Sequence, residues 1–255
     1  MPLVLTPIKD IPLIKGGEFL PDILQKSLIN QKIKLRDGDI LAVTQKIVSK
    51  AEKRTRYLDK VSPGEKAIEI SRINIKDPRL IELILRESKE VIRVSRSTLI
   101  VEHKLGFICA NAGIDHSNVK GDKNHEKCCY LLLPEDPEKS AKSIGEYIGN
   151  QSGVDIGVII IDSHGRPWRY GTVGVIIGTY RVPALLDLKG RKDLFNYQLK
   201  ITRISAADEL AAAASLIMGQ ADEGIPAVHI RGFPYELRDT TIKELIRPKE
   251  TDLFR

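Results

Sequence analysis

The chain has 255 residues, enough for one large domain or two small ones, and 42% of them are hydrophobic and 29% charged. This composition excludes intrinsically disordered and low-complexity proteins, and no apolar run approaches the roughly 20 residues that span a bilayer. The net charge of +6 is spread along the chain, and aromatic residues make up only 5%. A solvated, slightly basic surface or a protein acting on phosphate-bearing small molecules fits this pattern better than a nucleic-acid-binding stripe. Because the N-terminus lacks a signal-peptide pattern, we expect a cytoplasmic protein without membrane or nucleic-acid partners.

Hydrophobic spacing, turn residues and capping signals predict a mixture of helices and strands. The predicted helices are 19–31, 63–73, 78–87, 137–149 and an alanine-rich helix 206–218, which a capping box at Ser205 and Asp208 opens and Gly219 ends. The predicted strands are 3–6, 40–43, 90–95, 98–102, 106–110, 128–133, 154–161, 173–177 and 227–231. Because the two kinds of element do not alternate regularly, we predict a mixed α+β fold, formed as one unit over 1–255 with a charged, loosely packed tail at 234–255.

The three cysteines favour buried thiols over a metal site. Cys109 stands alone, and Cys128 and Cys129 are adjacent, so no disulfide framework is indicated. A zinc site would need a separated cysteine pair together with spaced histidines. His116 and His125 lie nearby in the sequence but do not form that pattern.

A first polar segment, 111–118, follows the predicted strand 106–110. Asp115 and Asn118 can supply the hard oxygen ligands that Mg²⁺ and Mn²⁺ favour. The alternative is a turn in which both side chains only bond to backbone amides.

A second polar segment, 161–169, places Asp162 at the end of a predicted buried strand, with Ser163 beside it. An acid and a hydroxyl side by side suit a metal that is bound to phosphate oxygens. Arg166 and Arg169 could hold an acidic substrate group through paired hydrogen bonds. A strand-capping turn with surface arginines is an equally open interpretation.

Two further segments combine small and polar residues. In 44–52, Lys50 could reach a phosphate as a point charge, or could simply be a solvated lysine. The loop 218–225 follows the alanine-rich helix and is bounded by glycines, which allow the backbone to approach a ligand closely. An ordinary connection between a helix and a strand would have the same composition. Neither of the common Gly-rich phosphate-binding motifs occurs in the chain.

Taken together and in order, these segments resemble one family, the coenzyme F420-0:L-glutamate ligases, which are the γ-glutamyl ligases of deazaflavin cofactor biosynthesis. The similar stretches span nearly the whole chain: 11–17, 37–52, 108–119, 131–141, 157–178, 190–194 and 206–232. The resemblance implies a two-lobed α+β enzyme that pairs as a homodimer. It also implies a GTP-dependent ligase that joins L-glutamate to the phospholactate carboxylate of the deazaflavin precursor through an acyl phosphate. The cofactors that it implies are two divalent cations, Mg²⁺ or Mn²⁺, and potassium.

Matched position by position, the resemblance implies roles for individual residues. Asp115 and Asp162 would be the catalytic metal-binding carboxylates, and Ser163 and Gln220 would add ligands. The GTP-binding residues would be Ile11, Pro12, Leu13, Ile14, Gln45, Lys46, Lys50, Asn118, Met218, Gly219, Gln220, Ala221, Asp222, Glu223, Gly224 and Ile225.

The chain departs from the family pattern at several positions, which are Gln45, Lys46, Tyr180, Asn196 in place of a turn glycine, and a longer loop at 119–130. These departures concern the acceptor more than the nucleotide chemistry. They leave open a related GTP-dependent amide ligase that acts on a different carboxylate. A non-catalytic binder of nucleotides or nucleic acid is the third hypothesis.

Overall fold

The computed structural model describes residues 2–121 and 129–254. Its α-helices are α1 (Leu20–Asn30), α2 (Gln45–Ala51), α3 (Glu65–Ser71), α4 (Pro78–Arg86), α5 (Pro137–Ser152) and α6 (Ala206–Met218). Its strands are β1 (Val4–Ile8), β2 (Ile40–Thr44), β3 (Thr55–Tyr57), β4 (Ser88–Val94), β5 (Leu99–His103), β6 (Ile108–Ala110), β7 (Cys129–Leu131), β8 (Gly157–Arg166), β9 (Arg169–Tyr180), β10 (Leu186–Asp187), β11 (Arg203–Ile204) and β12 (Ala227–Arg231). The predicted α+β class is confirmed.

The central layer is a five-stranded sheet in the order β1-β12-β2-β8-β9. Only β2 and β8 pair in parallel; the other neighbours are antiparallel. Its central strands are apolar at successive positions because both faces are covered. Leu41 and Val158 pack with α1 and α5 on one face, whereas Ile40 and Ile159 pack with α6 on the other.

A smaller layer is built from the sheet β4-β5-β6 and the helices α3 and α4. Its core is a separate apolar cluster that includes Ile81, Ile84, Leu99 and Val101. The ribbon β3-β7 completes this half of the molecule, and the β10-β11 pair forms an arm. Within residues 2–121 and 129–254, no helix is both long and apolar enough to cross a bilayer.

The N-termini of α4 and α6 differ in whether the predicted signals are confirmed. The helix predicted from residue 78 is confirmed as α4, with Pro78 in its first turn, and the Asp77 carboxylate caps it by accepting a hydrogen bond of 2.8 Å from the Arg79 amide. The capping box predicted at Ser205 is wrong. Its hydroxyl donates to the Asp208 carboxylate at 2.7 Å, and Asp208 accepts the Ile176 amide of β9 at 2.9 Å. Asp208 therefore joins α6 to the sheet.

The tail predicted to be loosely packed is docked on the body of the protein. Ile242 is buried in the cluster beneath α6, and its amide donates to Glu138 of α5 at 2.7 Å. Arg238 pairs with Glu244 at 2.7 Å and donates its backbone amide to the Arg181 carbonyl. Ile242, with Leu237 and Leu245 packed against the same cluster, and these polar contacts hold a segment that is rich in charged residues.

Candidate active site

The candidate site lies where the parallel strands β2 and β8 run to the same edge of the central sheet. Thr44 pairs in register with Ile161, so Gln45 at the start of α2 and Asp162 in β8 are neighbours at this edge. In open sheets, ligands bind outside the carboxyl ends of such parallel strands. The topology thus brings together two segments that lie far apart in the sequence.

The expectation that Asp162 ends its strand is wrong. β8 continues through Asp162 to Arg166 and pairs with β9 as a two-stranded ribbon beyond the sheet. The predicted strand stopped where the apolar residues stop, because a polar ribbon carries no hydrophobic signal. Within the ribbon the backbone groups are paired across the two strands, which compensates for the missing apolar burial.

Strand geometry separates two residues that the sequence places side by side. Successive side chains of a strand leave on opposite faces. Asp162 lies 3.1 Å from the Nε2 atom of His164 on one face, whereas the Ser163 hydroxyl donates to Gln220 at 3.0 Å on the other. Asp162 faces the elements that carry Asp115; Ser163 and Gln220 form a second polar group beside α6.

Asp115 is held in place by two elements, β7 and α2. Its backbone forms an isolated bridge with Leu131, with hydrogen bonds of 2.9 and 2.8 Å. Its carboxylate accepts a 2.7 Å hydrogen bond from the Gln45 side chain and lies 3.5 Å from the Lys46 ammonium. Ser49, one turn further along α2, donates to Gln45 at 3.0 Å and fixes the amide orientation. The two departures from the family pattern, Gln45 and Lys46, thus contact a predicted metal-binding carboxylate.

The electrostatics of this pair indicate a site for a cation. Burial and the nearby Asp162 carboxylate raise the pKa of Asp115 to about 6, although Lys46 and Gln45 act to lower it. Both carboxylates are mostly shielded from solvent, with 28% and 11% of their side chains exposed. Two acids held close together in a poorly hydrated place repel each other unless a cation lies between them.

The donor set fits Mg²⁺ or Mn²⁺ better than a zinc-type ion. Among residues 2–121 and 129–254, no three His, Cys, Asp or Glu side chains are close enough to hold a metal on their own. Mg²⁺ sites commonly use one or two carboxylates and fill the remaining positions with water and substrate phosphates. Asp115 and Asp162 meet that description, and the predicted ligands Ser163 and Gln220 lie on the opposite strand face.

A chain of hydrogen bonds brings the predicted nucleotide residues together. The Lys50 ammonium donates to the Asn118 carbonyl at 2.8 Å, and the Asn118 side chain donates to the Ala221 carbonyl at 2.7 Å. Lys46 also donates to the Ser117 hydroxyl at 3.0 Å. Burial, with Lys46 nearby, lowers the pKa of Lys50. The loop 218–225 and α2 therefore face one another across the segment around Asn118.

That loop owes its shape to Gly219 and Glu223. Gly219 ends α6 with a positive φ of 70°, and a Cβ there would overlap the Glu223 carboxylate. Glu223 in turn accepts the Ala221 amide at 2.8 Å. The other predicted loop residues, from Met218 to Ile225, follow this path between α6 and β12.

The predicted turn 11–14 is attached to the far end of α2. The Gly17 amide donates to the Ala51 carbonyl at 2.7 Å. Ile14 is buried in the core against α1, but 84% of Leu13 is exposed. Pro12 is exposed as well and Ile11 is partly buried, so the contact of this turn with GTP stays a prediction.

The two arginines predicted to hold substrate lie away from the aspartate pair. Arg166 and Arg169 pair with each other at the tip of the β8-β9 ribbon. Four strand residues separate Arg166 from Asp162, a distance of roughly 13 Å. The Arg166 guanidinium donates to the Tyr170 carbonyl at 3.2 Å, and Arg169 is exposed. Their contact with substrate stays a prediction.

His164 is a site residue that the sequence reasoning did not select. It contacts Asp162 directly, and its ring lies 5.3 Å from that of Phe107. Only a correct strand assignment would have found it, because residues two apart share a strand face.

Three other expectations concern packing. Cys109 and Cys129 are buried, as predicted, and Cys128 lies outside the described residues together with most of the loop 119–130. Tyr180 packs its ring against Gly145 of α5, where no Cβ would fit. Asn196 has a positive φ of 66°, the conformation expected of a residue that replaces a turn glycine.

Comparisons with known proteins identify the family of the chain. The family described as F420-0:Gamma-glutamyl ligase matches residues 9–232. A relative from Methanothermobacter thermautotrophicus, named Coenzyme F420:L-glutamate ligase, is 43% identical over 257 residues, covering 100% of both chains. Relatives with the same name from Methanocaldococcus jannaschii and Methanococcus maripaludis are 44% and 46% identical, and each alignment covers 96% of this chain and 94% or 95% of the relative.

Proposed function

The chain belongs to the F420-0:gamma-glutamyl ligase family, and on that basis we propose that it ligates L-glutamate to a carboxylate of the deazaflavin cofactor precursor in coenzyme F420 biosynthesis. The observation that carries this proposal is the shielded carboxylate pair Asp115 and Asp162, which lies beside Lys46 at the edge shared by β2 and β8. Such a pair supports chemistry on a phosphorylated, metal-associated substrate.

A free carboxylate does not react with an amine at neutral pH, because its oxygen is a poor leaving group. We propose that the phospholactate carboxylate first attacks the γ-phosphorus of GTP, which releases GDP and forms an acyl phosphate. The glutamate amine then attacks the acyl carbon and loses a proton, and inorganic phosphate leaves. Both steps depend on positioning and charge neutralisation more than on covalent help from the protein.

Different residues of this chain would bind the metal, orient its ligand and bind the phosphates. Asp115 and Asp162 would hold Mg²⁺ or Mn²⁺, which would neutralise charge on phosphate oxygens. Gln45 orients the Asp115 carboxylate through its 2.7 Å hydrogen bond. Lys46 and Lys50 place two ammonium groups beside the loop 218–225, where the phosphates of GTP would lie. The potassium requirement implied by the resemblance stays a prediction.

Mass spectrometry tests the proposal. The protein is incubated with GTP, Mn²⁺, L-glutamate and the glutamate-free cofactor, and we expect glutamyl additions to the cofactor with equimolar GDP. Asp162→Asn serves as the inactive control. The absence of both product and GDP under varied metals would refute the ligase, whereas GDP formed with another carboxylic acid would indicate the related amide ligase.

We also propose a homodimer, supported by the β10-β11 arm. Its connecting segment exposes Leu194, Phe195 and Ile201 at 96%, 89% and 84%. Several large apolar side chains on one arm are costly in water and are typical of a surface that another protein chain covers. The symmetric pairing of two identical arms is the commonest way in which a soluble protein covers such a surface.

A further inference from the structure

A cleft outside the candidate active site is lined by cations. It has a volume of about 510 Å³ and lies between the β3-β7 ribbon and α4. Four positively charged residues line it: Arg56, Lys60, Arg86 and Lys104. Its floor includes the apolar side chains of Val61, Leu83 and Leu132.

The negative charge in this cleft is already matched. Glu87 is the one acid among the described residues that line it, and its carboxylate is 2.5 Å from the Arg54 guanidinium. Lys104 approaches the same carboxylate only to 3.8 Å. Arg86 pairs with Glu82 at 2.8 Å outside the cleft. Among the described lining residues, the positive charge that no close carboxylate balances is therefore carried mainly by Arg56, Lys60 and Lys104.

The cationic groups are held by local structure. The Arg56 guanidinium donates to the carbonyls of Thr55 and Lys53 at 2.9 and 3.1 Å, which fixes its plane at the cleft wall. The Lys60 ammonium lies 5.3 Å from the centre of the Tyr57 ring. Like charges that are positioned in a concavity repel each other unless an anion joins them, and an arginine fork recognises phosphate and carboxylate groups in particular.

From these observations we propose that the cleft binds a small polyanion, a molecule that carries several phosphate or carboxylate groups. The site is separate from the aspartate pair. Thr55 pairs with Leu131, and Leu131 forms an isolated bridge with Asp115, so the cleft wall begins roughly 10 Å from the Asp115 backbone. A ligand in the cleft would therefore neither displace nor require a metal at Asp115 and Asp162.

Calorimetric titration of the metal-free protein tests this proposal with two probes, inorganic pyrophosphate and citrate. Asp162→Asn is titrated in parallel and retains binding, because the cleft does not use that carboxylate. In the double variant Lys60→Gln and Lys104→Gln, we expect affinity to fall at least tenfold, since two point charges are lost from the wall. The variant Lys66→Gln and Lys142→Gln, two exposed lysines outside the cleft, matches the change in net charge and should bind like the unmodified protein.

The outcomes separate the possible ligands. Binding of pyrophosphate alone assigns the cleft to phosphate-bearing molecules, binding of citrate alone assigns it to polycarboxylates, and binding of both shows that charge is the shared determinant. If neither probe binds, or if the control variant weakens binding as much as the cleft variant, no specific site exists and the proposal fails. Circular dichroism of every variant confirms that the fold is retained.

Discussion

At the scale of single residues, the candidate site holds two carboxylates, Asp115 and Asp162, whose mutual repulsion is unfavourable. Asp115 is held in a shielded place beside Asp162, and the combined effect raises the pKa of Asp115 to about 6. The sequence indicated both acids and their probable ligand chemistry. It could not indicate that Ser163 turns away from Asp162 or that Gln45 holds Asp115, because both facts depend on strand direction and long-range pairing.

Asp162→Asn should reduce ligase turnover by at least roughly a hundredfold, because it removes a charged metal ligand and little packing. The measurement is GDP release with saturating substrates, accompanied by circular dichroism to show an intact fold. Turnover close to that of the unmodified enzyme would remove Asp162 from the site.

Asp115→Asn should stabilise the metal-free protein. A pKa raised from 3.8 to about 6 makes the ionised form in the folded state costly at neutral pH, by up to about 3 kcal/mol. Recovering even 1 kcal/mol would raise the melting temperature by about 2–4 °C in a chain of this size. Calorimetry in a chelating buffer checks the change, with the exposed Asp222→Asn as control. An unchanged or lower melting temperature would contradict the repulsion inferred here.

His103 should make stability depend on pH. It is only 2% exposed, and burial lowers its pKa from 6.5 to about 4, with nearby cations adding to the effect. The unfolded chain takes up a proton near pH 6.5 and the folded chain does not, so stability falls as pH drops from 6.5 to about 4, by about 3 kcal/mol. Denaturant unfolding at pH 7 and pH 4.5 should show that His103→Asn removes most of this loss. An equal loss in the variant would exclude His103 as its source.

At the scale of elements, periodicity and start signals predicted five of the six described α-helices and missed α2, and the strands were predicted less well. α1 and α6 closely match the predicted 19–31 and 206–218, because their amphipathic or alanine-rich patterns are local. β8 was predicted too short because its outer half is stabilised by pairing with β9 rather than by apolar burial. The tail around Ile242 was predicted to be loose because its few anchoring apolar side chains, Leu237, Ile242 and Leu245, are dispersed among charged residues.

The junction of β2 and β12 depends on one buried ion cluster. Asp39 is 2% exposed and lies 2.9 Å from His229 and 2.6 Å from Arg231, both in β12. Burial acts to raise the pKa of Asp39, but His229 and Arg231 outweigh it and hold that pKa well below its ordinary value. The stabilisation is therefore present above about pH 4 and is lost as pH falls toward the folded-state pKa.

Asp39→Ala should lower the free energy of unfolding by about 1–3 kcal/mol, because it leaves the buried His229 ring and the partly exposed Arg231 guanidinium without their shared partner. Denaturant titration at neutral pH measures this loss. Glu236→Ala, which removes an exposed carboxylate, should change stability by less than about 0.5 kcal/mol. Equal effects of the two substitutions would show that the cluster does not hold the strands together.

At the scale of the whole molecule, the β10-β11 arm is an exposed apolar feature that the sequence did not predict. No motif predicted that this arm would be exposed, because apolar residues in a sequence suggest a short buried segment. We expect light scattering to show a dimer for the unmodified protein and a monomer for the double variant Leu194→Ser and Phe195→Ser. Ile75→Ser, which changes an equally conspicuous exposed residue elsewhere, should remain dimeric. A dimer that survives the arm substitutions would place the interface on another surface.

The parallel pairing of β2 with β8 has a consequence for when the enzyme can fold during synthesis. β2 pairs with β8 in the middle of the chain, and β1 near the N-terminus pairs with β12 near the C-terminus. Pairings between such distant segments form late, because the entropy of closing a long loop is lost before the stabilising contacts form. The edge that carries Gln45 and Asp162 therefore assembles only once most of the polypeptide has been synthesised, and we expect neither an incomplete nascent chain nor a proteolytic fragment to retain the site.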